Sequence, residues 1–315
     1  MIMGTMKKGI YPQIGAKQIN DVDISTLQRL LNAMQIQGYA LDTIKHTKHL
    51  LRQFFEYCEE NGFISENPVD KVKLQKRERK TATAADDDYK AIRPEARQKF
   101  LDILEKNKFF KALCLTIIYA GLRIGEILAL RWRDINFEKG TINIDDAITV
   151  DIKFDREGNV LSRQTVISDT KTAASMRENP MPNILVRALK EWHTERWRMR
   201  NISESEGKPI SFIAPNDLVF STEEGKLRTY YGTRAMFDRF LKENDLDDYN
   251  IHFHTLRHTY SNMLFELGEN PKVIQGLMGH KDVITTLKHY NSVDQSQYRG
   301  ATDKLDGKYN VSVAE

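Results

Sequence analysis

The sequence predicts a mainly α-helical protein with a small antiparallel β-sheet, divided into a helical first domain and a larger α+β domain. Three observations carry this. Apolar residues recur at three- and four-residue spacing through most of the chain, the signature of amphipathic helices. One stretch, 141–169, alternates instead and is rich in Val, Ile and Thr. Finally, a segment with almost nothing to bury interrupts the helical pattern near residue 80. A length of 315 residues suits two cores better than one.

Taken in order, DISTLQRLLNAMQIQ (23–37) and the run from Leu41 to Asn61 read as two helices. The second stops at Gly62, a left-handed cap residue, and the chain turns at Asn67-Pro68. From Lys71 to Asp88 come a basic run, a Thr/Ala stretch and three aspartates. This predicts a first domain over 1–74, a linker over 75–88 and a second domain over 89–315, with a charged helical extension as the alternative to a linker. Helical periodicity resumes at Arg97, and 109–119 is apolar nearly all round, as a helix inside a second core would be. Gly121 breaks it and a further helix follows from Arg123 to Leu130. Within 141–169, Glu-Gly-Asn at 157–159 marks a hairpin turn. Helices are predicted again at 183–200, 230–244, 254–268, 271–278 and 282–290, with Pro271 at a start and Gly268 and Gly279 as stops.

Composition narrows the class. Hydrophobic residues at 40% and charged residues at 29% exclude a disordered or fibrous chain. No apolar run approaches the roughly 20 residues of a membrane span, and MIMGTMKKGIYPQIG lacks the apolar stretch of a signal peptide. The expectation is a cytoplasmic protein with no membrane partner. Cys58 and Cys114 both fall in apolar helical patterns, which predicts buried free thiols. Net charge is only +3, yet residues 1–80 hold 13 Lys or Arg against 9 Asp or Glu while the rest of the chain holds 34 against 35. That N-terminal excess fits phosphate neutralisation and a solvated helix surface equally well.

Three short segments stand out chemically. In GLRIGEILALRWRDI, Arg123 follows a glycine break at a helix start with Glu126 one turn on, so it can face an anion or pair with Glu126. In HFHTLRHT, His254 and Arg257 stand three apart on one helical face while His258 is expected to point elsewhere. In LMGHKDVITTLKHYNSV, His280 directly follows the Gly279 stop and Tyr290 lies ten residues on. No HExxH, paired cysteines or carboxylates at ligand spacing accompany these histidines, so no metal and no other cofactor is expected. Each residue alone has an ordinary structural explanation; their company lifts them.

In this order, G-L-R-I-G-E, then H-T-L-R-H-T, then G-H and a following Tyr resemble the catalytic signature of tyrosine recombinases and phage-type integrases. The similarity covers about residues 97–295 as the catalytic domain, with a C-terminal tail from about 296, and 14–74 looks like the family's helical core-binding domain. The resemblance implies that Arg123 and Arg257 clamp a scissile phosphate, Tyr290 is the nucleophile, and His254 and His280 fill the two remaining box positions. It also implies a lysine on a β-hairpin; DTKTAASMRENPMP resembles that hairpin and gives Lys171, with Lys153 on a neighbouring strand as the alternative. Glu126 matches a position that supports the site from behind.

Those residue types suit phosphoryl transfer. Two guanidiniums hold the charge of the non-bridging oxygens. A phenol with a pKa near 10 needs a proton acceptor, for which His254 is a candidate. A lysine with lowered pKa can protonate the leaving 5′ hydroxyl. His280 would donate to a non-bridging oxygen. The family further implies a 3′-phosphotyrosyl link, a Holliday junction, double-stranded DNA and a homo-tetramer as partners, and room for an excision or directionality factor. The tail would dock on a neighbouring protomer or stay disordered.

Other readings are a chromosome-dimer-resolving recombinase of the same family, a type IB topoisomerase, and an architectural DNA-binding protein with a decayed catalytic set. The start of the chain near the core-binding domain resembles the dimer-resolving enzymes. The long 145–169 region leans towards an integrase of a phage or conjugative element, N-terminal truncation being left open.

Overall fold

The computed structural model describes residues 10–74, 91–92, 94–155, 159–169, 176–205 and 217–281. The chain divides into two compact units, Met1–Ala82 and Thr83–Glu315.

In the first unit, helix α1 (Ile24–Ile36) starts where the Asp23 carboxylate accepts from Thr26 N at 2.8 Å, satisfying one of the free amides of a helix start. Its buried stripe Leu27, Leu30, Leu31 and Met34 follows the three- and four-residue spacing of one helical face. That stripe packs with Ile44, Leu51 and Phe55 of α2 (Leu41–Glu60). Gly62, at φ +73°, ends α2, and Phe63 N reaches back to Cys58 O at 2.9 Å. Beyond the turn, Val69 and Val72 return to this core. The backbone of Val72 and the next residue is held by Lys48 Nζ on Val72 O (2.6 Å) and by Gln28 Nε2 on Lys73 O (2.7 Å).

The second unit is built around α4 (Lys108–Ala120), whose residues are buried on nearly every side. Asn107 caps its start by accepting from Phe110 N at 3.0 Å. Around α4 lie α3 (Pro94–Leu104), α6 (Asn183–Ser205), α7 (Tyr230–Glu243) and α8 (Phe253–Glu266), which share one apolar cluster including Phe100, Phe110, Trp192, Phe237 and Leu256. Between α4 and the strands sits the short α5 (Ile124–Ala129), and α9 (Pro271–Met278) closes the described chain.

The strands form two antiparallel sheets, where the sequence alone suggested one. Strands β1 (Ile135–Asn136), β2 (Thr141–Ile144) and β5 (Arg177–Pro180) pair in that order. Among the described residues, strands β3 (Asp146–Phe154) and β4 (Val160–Asp169) pair only with each other, from Asp146 opposite Asp169 to Phe154 opposite Val160. Neighbouring alternating segments look continuous in sequence, but β2 finds its second partner beyond the whole hairpin. Helix α5 lies against β3, with Gly125 facing Ile148. The Glu157 and Gly158 turn positions and the helix predicted at 282–290 lie outside the described residues. Cys58 and Cys114 are buried free thiols.

Candidate active site

The site assembles where two helix ends meet. Helix α4 stops at Gly121, whose φ of +66° reverses the chain. A side chain there would strike the Tyr260 ring. The reversal delivers Arg123 to the start of α5, and Glu126 one turn on folds back over it. Glu126 Oε2 accepts from Arg123 N and Oε1 from Arg123 Nη1, each at 2.8 Å. The capping geometry therefore also fixes the Arg123 side chain. Its Nη2 donates to Gly279 O at 3.0 Å, while the side chain keeps 40% of its surface exposed.

Arg257 approaches the same place from α8 and is only 2% exposed. Its two terminal nitrogens donate to Gly121 O and Met278 O. Both acceptors are end-of-helix carbonyls, which lack partners within their helices and carry the negative end of the helix dipole. A third arginine, Arg177 on β5, faces Glu126 with Nη2 at 2.9 Å from Oε2 and Nη1 at 3.3 Å from Oε1. Its Nε donates to Leu277 O at 3.0 Å. Asn179, two residues along the same strand, bridges Ala120 O (2.7 Å) and Leu277 O (2.8 Å) and so ties α4 to α9.

Three guanidiniums thus gather about one carboxylate, leaving an excess of positive charge. Burial, followed by the neighbouring Arg123 charge, pushes the Arg257 guanidinium down to about 9, so it stays protonated at neutral pH. For Glu126, burial works against ionisation, yet the Arg177 hydrogen bonds and charge, with help from Arg123, hold its carboxyl below the ordinary 4.5. An exposed guanidinium backed by two buried ones can hold an anion whose own charge is shared among oxygens, as in a phosphodiester.

Of the residues singled out from sequence, Arg123, Glu126 and Arg257 come together, and His280 follows Gly279 directly, half-buried, its amide on Gln275 O at 3.2 Å. His254 is exposed one turn before Arg257. The expected orientation of His258 is corrected: four residues on, it lies beneath His254, the rings edge-on at 4.6 Å between centroids. Residues four apart share a helical face. Lys171 and Tyr290 lie outside the described residues; Lys153 is exposed on β3, opposite Ser162. Tyr260 packs against Gly121, and burial pushes its phenol up to about 12, which works against forming the phenolate there. Arg177 and Asn179 went unnoticed in the sequence although both fall within DTKTAASMRENPMP; one guanidinium and one carboxamide two positions apart on a four-residue strand have no periodic signal of their own.

Comparison with known proteins adds the following. A family model described as the phage integrase family matches residues 90–297. A XerC-like tyrosine recombinase of Caldanaerobacter subterraneus subsp. tengcongensis is 30% identical over 287 residues, spanning 89% of this chain and 70% of the relative. The ICEBs1 integrase of Bacillus subtilis is 26% identical over 85% of this chain and 66% of its own length. The transposase of transposon Tn916 from Enterococcus faecalis is 24% identical over 92% and 67%. This chain thus spans about two thirds of the length of these last two relatives. In fold, it superposes on the Tn1549 transposon integrase in complex with transposon right end DNA with a TM-score of 0.71, at 22% identity, covering 96% of this chain and 91% of that one. A lambda integrase dimer bound to a core site gives 0.60 at 14% identity, covering 93% and 72%.

Proposed function

We propose, from the premise that the chain belongs to the phage integrase family of tyrosine recombinases, that it is a site-specific DNA recombinase that cleaves and rejoins strands through Tyr290. The observation that carries this reading is the meeting of Arg123, Glu126 and Arg257 at the ends of α4 and α9, where the chain runs directly into His280.

In the proposed reaction, Arg123 and Arg257 hold the non-bridging oxygens of the scissile phosphate and stabilise the charge that builds there in the transition state. In this reading His254, exposed on α8, would accept the Tyr290 proton, while His280 would donate to a non-bridging oxygen. The Tyr290 oxygen attacks phosphorus, the bond to the 5′ oxygen breaks, and Lys171 protonates that oxygen as it leaves. The 3′-phosphotyrosyl ester conserves the energy of the broken bond, so a 5′ hydroxyl from a partner strand can reverse the step without ATP. Guanidiniums carry the charge that a metal ion would otherwise hold, so the reaction proceeds without one. Four protomers around two duplexes would exchange strands through a Holliday junction. The domain predicted over 1–74 would supply a DNA-contacting surface, joined by residues 75–88 to the catalytic domain.

Integration and excision of a mobile element is the favoured use. The long β3–β4 hairpin, with strands of nine and ten residues, and the superposition on the Tn1549 transposon integrase support it. The 30% identity to the XerC-like relative favours chromosome-dimer resolution as the second reading.

The test is a supercoiled plasmid carrying two copies of the ends that flank the gene's own element. Resolution into two circles is expected. Relaxation without exchange would replace the recombinase reading with a topoisomerase.

A further inference from the structure

We infer that Arg177 is a positioning residue for the phosphate clamp: it shares the Glu126 carboxylate with Arg123, so that Arg123 keeps its positive charge for the DNA. This rests on the recombinase reading and goes beyond it, because Arg177 is outside the signature of arginines, histidines and tyrosine by which that reading was reached.

The geometry is specific. A carboxylate offers about four lone-pair sites. On Glu126, Arg123 fills two of them with N and Nη1, and Arg177 fills two with Nη1 and Nη2. Arg177 and Glu126 side chains are 7% and 3% exposed, so water screens neither. With Arg123 as its sole cationic neighbour at hydrogen-bond distance, Glu126 would make a neutral pair at the very place where a phosphate has to be held. Arg177 supplies the compensating charge from behind while Arg123 stays the exposed member. Arg257 is separately engaged with helix-end carbonyls.

The same side chain also fixes the far wall. Through Nε it holds Leu277 O, and the next two carbonyls, of Met278 and Gly279, receive Arg257 and Arg123. His280 follows at once. Because Arg177 is paired within the sheet opposite Ile144, the β1–β2–β5 sheet, α5 and the end of α9 are locked by one guanidinium. A lysine could restore the charge but not the three-way geometry.

The decisive experiment compares single-turnover cleavage of a suicide DNA substrate by wild type, R177M, R177K and the double variant R177M/E126Q. DNA affinity and the thermal unfolding midpoint are measured for each. With one unit charge removed a few ångströms to about a nanometre from the phosphate, R177M should cleave on the order of 10- to 100-fold more slowly, binding DNA within about threefold of wild type. R177K should recover part of the loss. Adding E126Q to R177M should raise the cleavage rate again, since no carboxylate then quenches Arg123, even if the midpoint falls further. A merely structural role predicts the opposite order, with rates following midpoints and the double variant slowest, and that result overturns the inference. If R177M fails to fold, the comparison passes to R177K against R177K/E126Q: a faster double variant supports the inference and a slower one refutes it. Failure of wild type to form any covalent adduct refutes the recombinase reading instead. Equal cleavage by wild type and R177M refutes only the role of Arg177.

Discussion

Replacing Gly121 with Ala should damage stability and chemistry together. The residue sits at φ +66°, where a Cβ costs about 1–2 kcal/mol. Its Cβ would also lie 2.5 Å from Tyr260 Cε1, closer still to Cδ1, and 3.4 Å from Met278 Sδ, so the buried Tyr260 ring must move. Overpacking of that kind adds about 1–3 kcal/mol, for a total of about 2–5 kcal/mol. In a unit of roughly 200 residues this is a fall of about 5–15 °C in unfolding midpoint. All three tryptophans, Trp132, Trp192 and Trp197, lie in the second unit, so fluorescence excited selectively at tryptophan reports that unit. Gly140→Ala is the internal control. Its φ is also +66°, but a Cβ there would meet only Met181 O at 3.7 Å, so the backbone cost of about 1–2 kcal/mol stands alone. Gly121→Ala should also slow cleavage beyond its effect on folding, because the Gly121 carbonyl orients Arg257. Equal midpoints for the two variants, or normal cleavage by Gly121→Ala, would refute this reasoning.

Two further outcomes are expected. Glu126→Gln leaves two arginines facing a neutral amide in a buried site and should cost about 3–5 kcal/mol near neutral pH. Because the folded carboxyl titrates below 4.5, its contribution is present above that value and lost as pH falls through the folded pKa. The stability gap between wild type and Glu126→Gln measured by urea unfolding should therefore close in acid; a gap that widens there contradicts the pairing. Covalent adduct formation should run at the same rate in EDTA as in magnesium, and a requirement for added magnesium in the cleavage step would contradict charge stabilisation by arginine alone.

What the sequence disclosed depended on whether the signal was local. Helices α1, α2, α4 and α9 were legible because a 3.6-residue period and a glycine or proline at the boundary are written in consecutive residues. The start of α8 was less so: His252 caps it, with Nδ1 accepting from Thr255 N at 3.1 Å, and histidine is an uncommon cap. The separation of the strands into two sheets was hidden, since β2 pairs with β5 across the entire β3–β4 hairpin. The site divides in the same way. Arg123 and Arg257 could be found because each stands beside a helix boundary or a histidine in an ordered set of motifs. Arg177 and Asn179 act on carbonyls of residues about 60 to 100 positions away, and no spacing within DTKTAASMRENPMP announces such contacts.

In the proposed reaction Tyr290 becomes covalently joined to DNA under the control of Arg123 and Arg257. The most direct measurement is denaturing gel analysis of wild type and Tyr290→Phe after incubation with nicked suicide substrates drawn from the gene's own flanking DNA. A covalent protein–DNA band present for wild type and absent for Tyr290→Phe is the predicted result. Tight, specific binding by wild type with no adduct on any trapping substrate would make the chain a DNA-binding protein without cleavage activity and rule out Tyr290 as the nucleophile.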